Sequence, residues 1–382
     1  MLTIRDFAPY ADRIEAGAHI FTKSFSVTLR PETPPMMPIV MRAVCMAAGG
    51  IPTVRYELHG ASLIYRSMVY EMCAADGVSR RAWRIPPFVG DADRAEIFFD
   101  IPEGCTLRLM NFAADKDASR IPWQGGMRLN AHLGFYGLCP DNTMPAFELA
   151  AECGYPACIV VPKETKDGVI VCIHDDTINR TARDADGNPP AQPMYVRDMT
   201  FDELRTWEYG SYKHEIWRGT EIPTLEAFFA LCAKTGMRPM FSTHPDLSDA
   251  GWLQVKELLS RYGLTRRFHV KSFGADCLAH AWRMLGDTIE GYTYDIGTKT
   301  LDIPANLAAL AGTGIDRDRV RVGIEIPQVE MNEEHAAAIR AGGCFASVWN
   351  VGRIDGARYR QLAAMGVTEV TDDFNCSAGL CW

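Results

Sequence analysis

His132 and His174 lead the candidates for chemistry in this 382-residue chain: the first sits in AHLG at 131–134, the second in IHDDTINRT at 173–181. PDNTMPAF at 140–147 and TKDG at 165–168 lie between them. An imidazole titrates near neutral pH, so it can take or give a proton during turnover. Asp175 follows His174 and is placed to cap a turn or to orient the ring. Asn142 either braces this loop or caps the helix expected from Thr143, and capping suits the sequence better. Asp295 and Glu325 each end a segment of apolar alternation, GYTYD and RVGIE, where an outward salt bridge competes with recruitment to a site. Lys271, His244 and Asp141 add charge or hydrogen-bonding capacity, and Trp349 offers a flat face on which a sugar can stack, although a strand tryptophan is more often core. His174, His244, Asp246, Asp141 and Asp295 lack the paired spacing of a metal site, so neither a metal nor another cofactor is expected.

These residues need a scaffold. From Arg128 onward apolar strand-like runs alternate with helical stretches: MRLNAHL, ACIVVP, GVIVCIH, RPMFSTH, FHVKSF, EGYTYDI, VRVGIEI, FASVWNV and EVTDD read as strands. Strands separated by helices imply a parallel sheet, and this number implies an α/β fold of the eight-stranded (β/α)8 barrel type, whose catalytic groups project from the C-terminal strand ends. Residues 1–115 differ. Short runs such as FTKSFSVTL, VRYELHG and AEIFFDI, punctuated by PPMMP, AAGG and PEG, predict a small β-sandwich or jelly roll. A linker over 116–126 would join it to a barrel over 127–382. The stretch between His174 and Ile222 breaks the alternation and reads as an insertion.

Composition narrows the function. The chain is 47% hydrophobic and 23% charged, with net charge −9 and no basic cluster, which argues against nucleic acid and an anionic membrane surface. No run reaches the length of a membrane span, and MLTIRDFAPYADRIEAG lacks the layout of a secretory signal. Twelve cysteines without CxxC pairs, several inside strands (Cys158, Cys172), suit buried thiols of a cytoplasmic protein rather than zinc ligands. A homo-oligomer formed through the N-terminal domain is a further expectation.

The motifs around the two histidines, together with DMTFDELRTWEYGSY at 198–212, IPTLEAF at 222–228, KSF at 271–273, SVWNV at 347–351 and GVTEVTDD at 366–373, resemble the glycerophosphodiester phosphodiesterase family. The likeness covers about 250 of the 382 residues in the family's order, the size of one such barrel. It implies that His132 and His174 act as general acid and base, one relaying the proton of the attacking hydroxyl and the other protonating the leaving oxygen. It also implies a divalent cation held by a Glu-x-Asp pair. Here the chain departs: the family's His-Arg-Gly arginine is Leu133, its Glu-x-Asp falls on Ile159 and Val161, and its Glu-x-Lys falls on Ser242 and His244. Ile and Val coordinate nothing, and a phosphodiester beside them would keep a poorly solvated charge.

The resulting expectation is a divergent, metal-independent enzyme, hydrolase or lyase, cleaving a neutral carbohydrate or polyol derivative. His132 and His174 would be catalytic, and Asp141, Asn142, Asp175, His244, Lys271, Asp295, Glu325 and Trp349 would bind substrate. Two alternatives stand beside it: a non-catalytic sugar-binding or scaffold protein, and a residual phosphodiester hydrolase with a rebuilt cation site.

Overall fold

The computed structural model describes residues 2–30, 39–67, 69–73, 78–85, 88, 92–116, 127–243, 247–297, 301–350 and 356–372. His244 and Asp246 lie outside the described residues, as does most of the expected linker.

The N-terminal region forms two antiparallel sheets. One runs in the order Arg13–Glu15, Ala18–Phe21, Thr106–Lys116, Ile39–Ala48, Ser79–Ile85, with Leu2–Thr3 added along Thr106–Lys116. The other runs Phe25–Leu29, Arg94–Asp100, Thr53–His59, Leu63–Arg66, with Tyr70–Glu71 on Thr53–His59. Alternation drives the packing: Ala95, Ile97 and Phe99 are buried, whereas Arg94, Glu96 and Phe98 are only partly so. The inner faces meet through aromatic rings such as Phe21 on Phe25 at 4.5 Å, and Phe7, from the short helical turn Ile4–Tyr10, packs on Phe99 at 5.4 Å. Glu71 reaches the barrel by an ion pair with Arg360 (2.5 Å).

The expected barrel closes from eight parallel strands: β1 (Arg128–His132), β2 (Ala157–Val160), β3 (Arg238–Thr243), β4 (His269–Ser272), β5 (Gly291–Asp295), β6 (Arg321–Pro327), β7 (Phe345–Asn350) and β8 (Val367–Asp372). Helix α1 (Met144–Glu152) follows β1, α2 (Leu225–Thr235) precedes β3, and α3 (Asp249–Arg261) follows it. Cys158, Val160, Phe241, Val270, Tyr292, Ile324 and Val348 belong to the apolar core beneath the helices. Their strand neighbours Ile159, Met240, His269, Lys271, Thr293 and Glu325 therefore line the barrel's interior. No helix among the described residues is long and apolar enough to cross a membrane.

One strand assignment needs correcting. Ile170–Cys172, within the run GVIVCIH, is not a barrel strand: it pairs antiparallel with Pro162–Glu164 in a hairpin outside the barrel. A continuous apolar run looks the same in either setting, and three residues are too few to close a barrel rung. The insertion thus begins just after β2 rather than at His174. It carries its own apolar cluster, including Val171, Ile173, Ile178, Val196, Leu204 and Ile222. Glu164 ties the hairpin to the start of α3 by accepting from Ser248 N (2.6 Å) and Ser248 Oγ (2.7 Å). Gly251 leaves room for this contact: a Cβ would sit 2.6 Å from Glu164 Oε1, and the carboxylate would have to shift.

Candidate active site at the C-terminal end of the barrel

His132 ends β1, half-buried, with its ring perpendicular to that of Tyr136 at 6.0 Å. The chain then turns sharply. Leu133 has φ 56° and Gly134 φ 84°, and a Cβ on Gly134 would lie 2.6 Å from Ala146 Cβ. Only glycine fits at 134, whereas Leu133 holds a left-handed conformation that costs a β-carbon-bearing residue about 1 kcal/mol.

Three hydrogen bonds bring the second histidine to the same end. Asn142 N donates to Leu133 O (3.0 Å), Val161 N donates to Asn142 Oδ1 (3.0 Å), and Ile173 N donates to Val161 O (3.0 Å). The residues adjoining His132 and His174 are thereby linked through Asn142 and Val161. Asn142 braces the loop instead of capping the helix: Thr143 is the N-cap of α1, and its Oγ1 donates to Pro140 O (2.6 Å). With its side-chain oxygen engaged and only 1% of its surface exposed, Asn142 has little left for a ligand.

His174 is exposed and its Nδ1 donates to Asp175 Oδ1 (2.7 Å), which leaves Nε2 as the nitrogen able to exchange a proton. Asp175 in turn accepts from Arg180 Nε (2.7 Å), and the same guanidinium forks onto Asp141 through Nη1 (2.9 Å) and Nη2 (3.0 Å). Burial opposes both carboxylates, but hydrogen bonds from His174 and Arg180 to Asp175, and from Arg180 to Asp141, outweigh it and hold each below the usual range. Tyr212 also donates to Asp141, and Asp141 N donates back to Tyr212 Oη (3.0 Å). Asp141 is therefore closed within this network, and Asp175 serves as the support of His174.

The remaining residues lie deeper. Lys271 Nζ contacts Glu325 and lies 3.2 Å from Asp295 Oδ2, and all three are buried inside the barrel. Ser347 Oγ (2.8 Å) and Thr371 Oγ1 (2.7 Å) donate to Glu325 Oε1, and Gly297 N (2.8 Å) donates to Asp295 Oδ1. Burial pushes the Asp295 carboxyl up to about 7, with Lys271 opposing and Glu325 reinforcing the rise. Burial disfavours the Glu325 anion as well, but Lys271 and the two hydroxyls bring its carboxyl below the ordinary value. Asp295 and Glu325 thus point inward rather than ending in surface salt bridges. Trp349 is partly buried on β7, and its indole N–H meets no acceptor among the described residues.

Arg180, Tyr212 and Lys213 were missed from the sequence. Lys213 Nζ donates to Tyr136 O (2.7 Å) and sits 5.5 Å from that ring; burial lowers its affinity for a proton. A signal existed: each lies in a motif singled out above, Arg180 in IHDDTINRT and the other two in or beside WEYGSY.

The family's cation does not fit this donor set. Ile159 is fully buried and offers no oxygen, Val161 is its equivalent two residues on, and Asp141, Asp175, Asp295 and Glu325 are committed to Arg180 or Lys271. No cluster of three potential ligands occurs among the described residues.

A (β/α)8 barrel with two histidines at its C-terminal mouth defines a class, and comparison with known proteins shows what the barrel resembles. Residues 132–279 match the model of the glycerophosphoryl diester phosphodiesterase family. YhdW of Bacillus subtilis is 28% identical over 251 residues, covering 65% of this chain and 95% of that protein. A glycerophosphodiester phosphodiesterase of Bacillus altitudinis is 30% identical over 158 residues, covering 40% of this chain and 60% of its own length. Among solved structures, an Oleispira antarctica phosphodiesterase in complex with the product sn-glycerol-3-phosphate superposes with a TM-score of 0.54 at 21% identity, covering 66% of this chain and 94% of that one. Residues 132–279 thus carry a domain of the glycerophosphoryl diester phosphodiesterase type, set within the barrel.

Proposed function

We propose that this chain is a metal-independent member of its family, a hydrolase or lyase that uses His132 and His174 to cleave a neutral carbohydrate or polyol derivative. The observation that carries this reading is the closure of charge at the mouth. Arg180 is bound to Asp141 and Asp175, Lys271 to Asp295 and Glu325, and Lys163 to Asp176 (2.6 Å), while the family's metal positions are Ile159 and Val161. A phosphoryl group transferred here would need neutralisation that these groups do not offer. Hydroxyls need only hydrogen-bond partners, and the imidazoles and the Trp349 indole N–H supply them.

The acid–base step needs no outside reagent. In a hydrolysis, one imidazole takes a proton from water as the water oxygen bonds to the reacting carbon, and the other gives a proton to the departing oxygen. His174 suits proton exchange because Asp175 fixes its tautomer and stabilises the imidazolium once formed. Such a protein works in the cytosol on a small molecule, and its buried cysteines (Cys158, Cys172, Cys232) suit that compartment.

Phosphodiester hydrolysis is the second reading, favoured by the relatives' names and by Lys213, a cation held on Tyr136 O and in no ion pair with a carboxylate among the described residues. Turnover of uncharged glycosides and polyol ethers, measured beside glycerophosphodiesters in EDTA, separates the two. Cleavage of an uncharged compound that His174→Ala abolishes supports the first reading. Turnover of phosphodiesters alone, lost in EDTA, replaces it with the second.

A further inference from the structure

The opposite end of the barrel holds a cavity of about 320 Å³, lined by Arg128, Arg238, Arg266, Arg267 and Glu290 among others. All five lie at N-terminal strand ends: Arg128 and Arg238 open β1 and β3, Arg266 and Arg267 precede β4, and Glu290 precedes β5. This is the face that supports stability in such barrels rather than the one that carries catalysis.

Charge here is out of balance. Glu290 binds Arg128, Arg238 (2.9 Å) and Arg321 (3.1 Å), and Glu369 binds Arg238 (3.3 Å) and Arg321 (2.9 Å). Those two carboxylates offset two of the five guanidiniums, and Arg266 and Arg267 have no carboxylate within ion-pair distance among the described residues. His269, buried beside the cluster, adds no positive charge at neutral pH because burial lowers its pKa to about 4. The imbalance stands in a chain of net charge −9. Arg267 spends one donor on Gly236 O (2.5 Å), which leaves the rest of its fork available. Arg266, exposed at the rim, holds φ 58°, where glycine would be less strained.

We propose that this cavity binds a small multivalent oxyanion, of the phosphate-ester or polycarboxylate class, through Arg266 and Arg267 above a floor formed by Arg128, Arg238 and Glu290. Planar guanidinium forks match oxyanion geometry, and a concave surface with an excess of positive charge concentrates counter-ions. The cavity's size suits a small ligand.

Calorimetry of the full chain with inorganic phosphate, pyrophosphate and citrate, in EDTA at low salt, tests this. One equivalent should bind, with pyrophosphate or citrate tighter than phosphate and affinity falling as salt rises. The stronger of these two separates phosphate esters from polycarboxylates as the natural class. Arg266→Gly and Arg267→Ala should each weaken binding about tenfold or more. Arg266→Gly should also leave the melting temperature unchanged or raised, since glycine relaxes the backbone there, so lost binding cannot be ascribed to misfolding. Absence of binding by all three anions up to about 10 mM, well beyond useful affinity, would overturn the proposal. Undiminished affinity in both arginine variants would do the same, as would a loss produced by His174→Ala instead, which would put the anion at the catalytic mouth.

Discussion

Asp295→Asn should make the protein more stable than the parent at pH 8, with the gain shrinking steadily as the pH falls and vanishing below pH 4. Asp295 is 1% exposed inside the barrel, 3.2 Å from Lys271 and beside Glu325. Burial raises its carboxyl from 3.8 to about 7, so the native state holds this proton more tightly than the unfolded chain. The stabilisation from holding it is therefore full below pH 4 and is lost as the pH rises through about 7. The rise sets a ceiling of about 4 kcal/mol at 1.36 kcal/mol per pKa unit. Lys271 serves both carboxylates and the cluster titrates as a whole, so about 2 kcal/mol is expected. Asparagine imitates the protonated form: its oxygen can still accept from Gly297 N, and its amide can donate to Glu325. Urea denaturation of both proteins from pH 4 to pH 8 reads the difference directly. Parallel stability curves over that range would mean that Asp295 stays ionised in the folded barrel, and the account of the triad would fail.

Other perturbations have defined outcomes. His132→Ala and His174→Ala should each lower activity by about 10²–10⁴ while the melting temperature holds, because both rings lie at the mouth rather than in the packed layers. Asp175→Asn should cost about 10- to 100-fold in kcat and displace the pH–rate profile, since it removes the anion that supports His174; a change in KM alone would refute that role. Gly134→Ala should destabilise by about 2–4 kcal/mol in thermal or urea unfolding, since its Cβ would meet Ala146 Cβ at 2.6 Å at a backbone φ of 84°.

The periodic features of the fold were legible. Alternation reported the sandwich strands because one face of each is buried, and strand–helix repetition reported the barrel because each helix must cover the sheet beside it. GVIVCIH misled because Val171 packs into the insertion's own core while Ile170 and Cys172 pack into the main one, so burial on both faces copies that of a barrel strand. Both histidines were found from their motifs, but pairing was not. Nothing local in the sequence says that Arg180 spans Asp141 and Asp175, or that Lys271 meets Glu325 from two strands away. Those contacts depend on register and on strand closure. The polar interior was partly readable: Arg238, Met240 and Ser242 alternate with apolar Phe241 and the ring of Pro239, and His269 and Lys271 flank Val270.

Where the barrel keeps its charge also explains why little of it is free for a ligand. His132, Ile159, Met240 and His269 form one hydrogen-bonded register row, and two of its four residues are apolar. The neighbouring row sets Ser242 against Lys271, and Lys271 reaches the carboxylates of β5 and β6. An ammonium and two carboxylates in that position are costly to desolvate, and they are tolerable only when their remaining lone pairs are satisfied. Ser347, Thr371 and the Gly297 amide satisfy them. Pulling Lys271 away to meet a phosphate would strip Glu325 of its counter-charge at a fully buried site, a loss of about 3–5 kcal/mol by the cost of breaking such pairs. Arg180 is held in the same way by two aspartates. An anionic substrate must therefore compete with internal carboxylates for each of these cations, whereas a hydroxyl-bearing one leaves every ion pair intact.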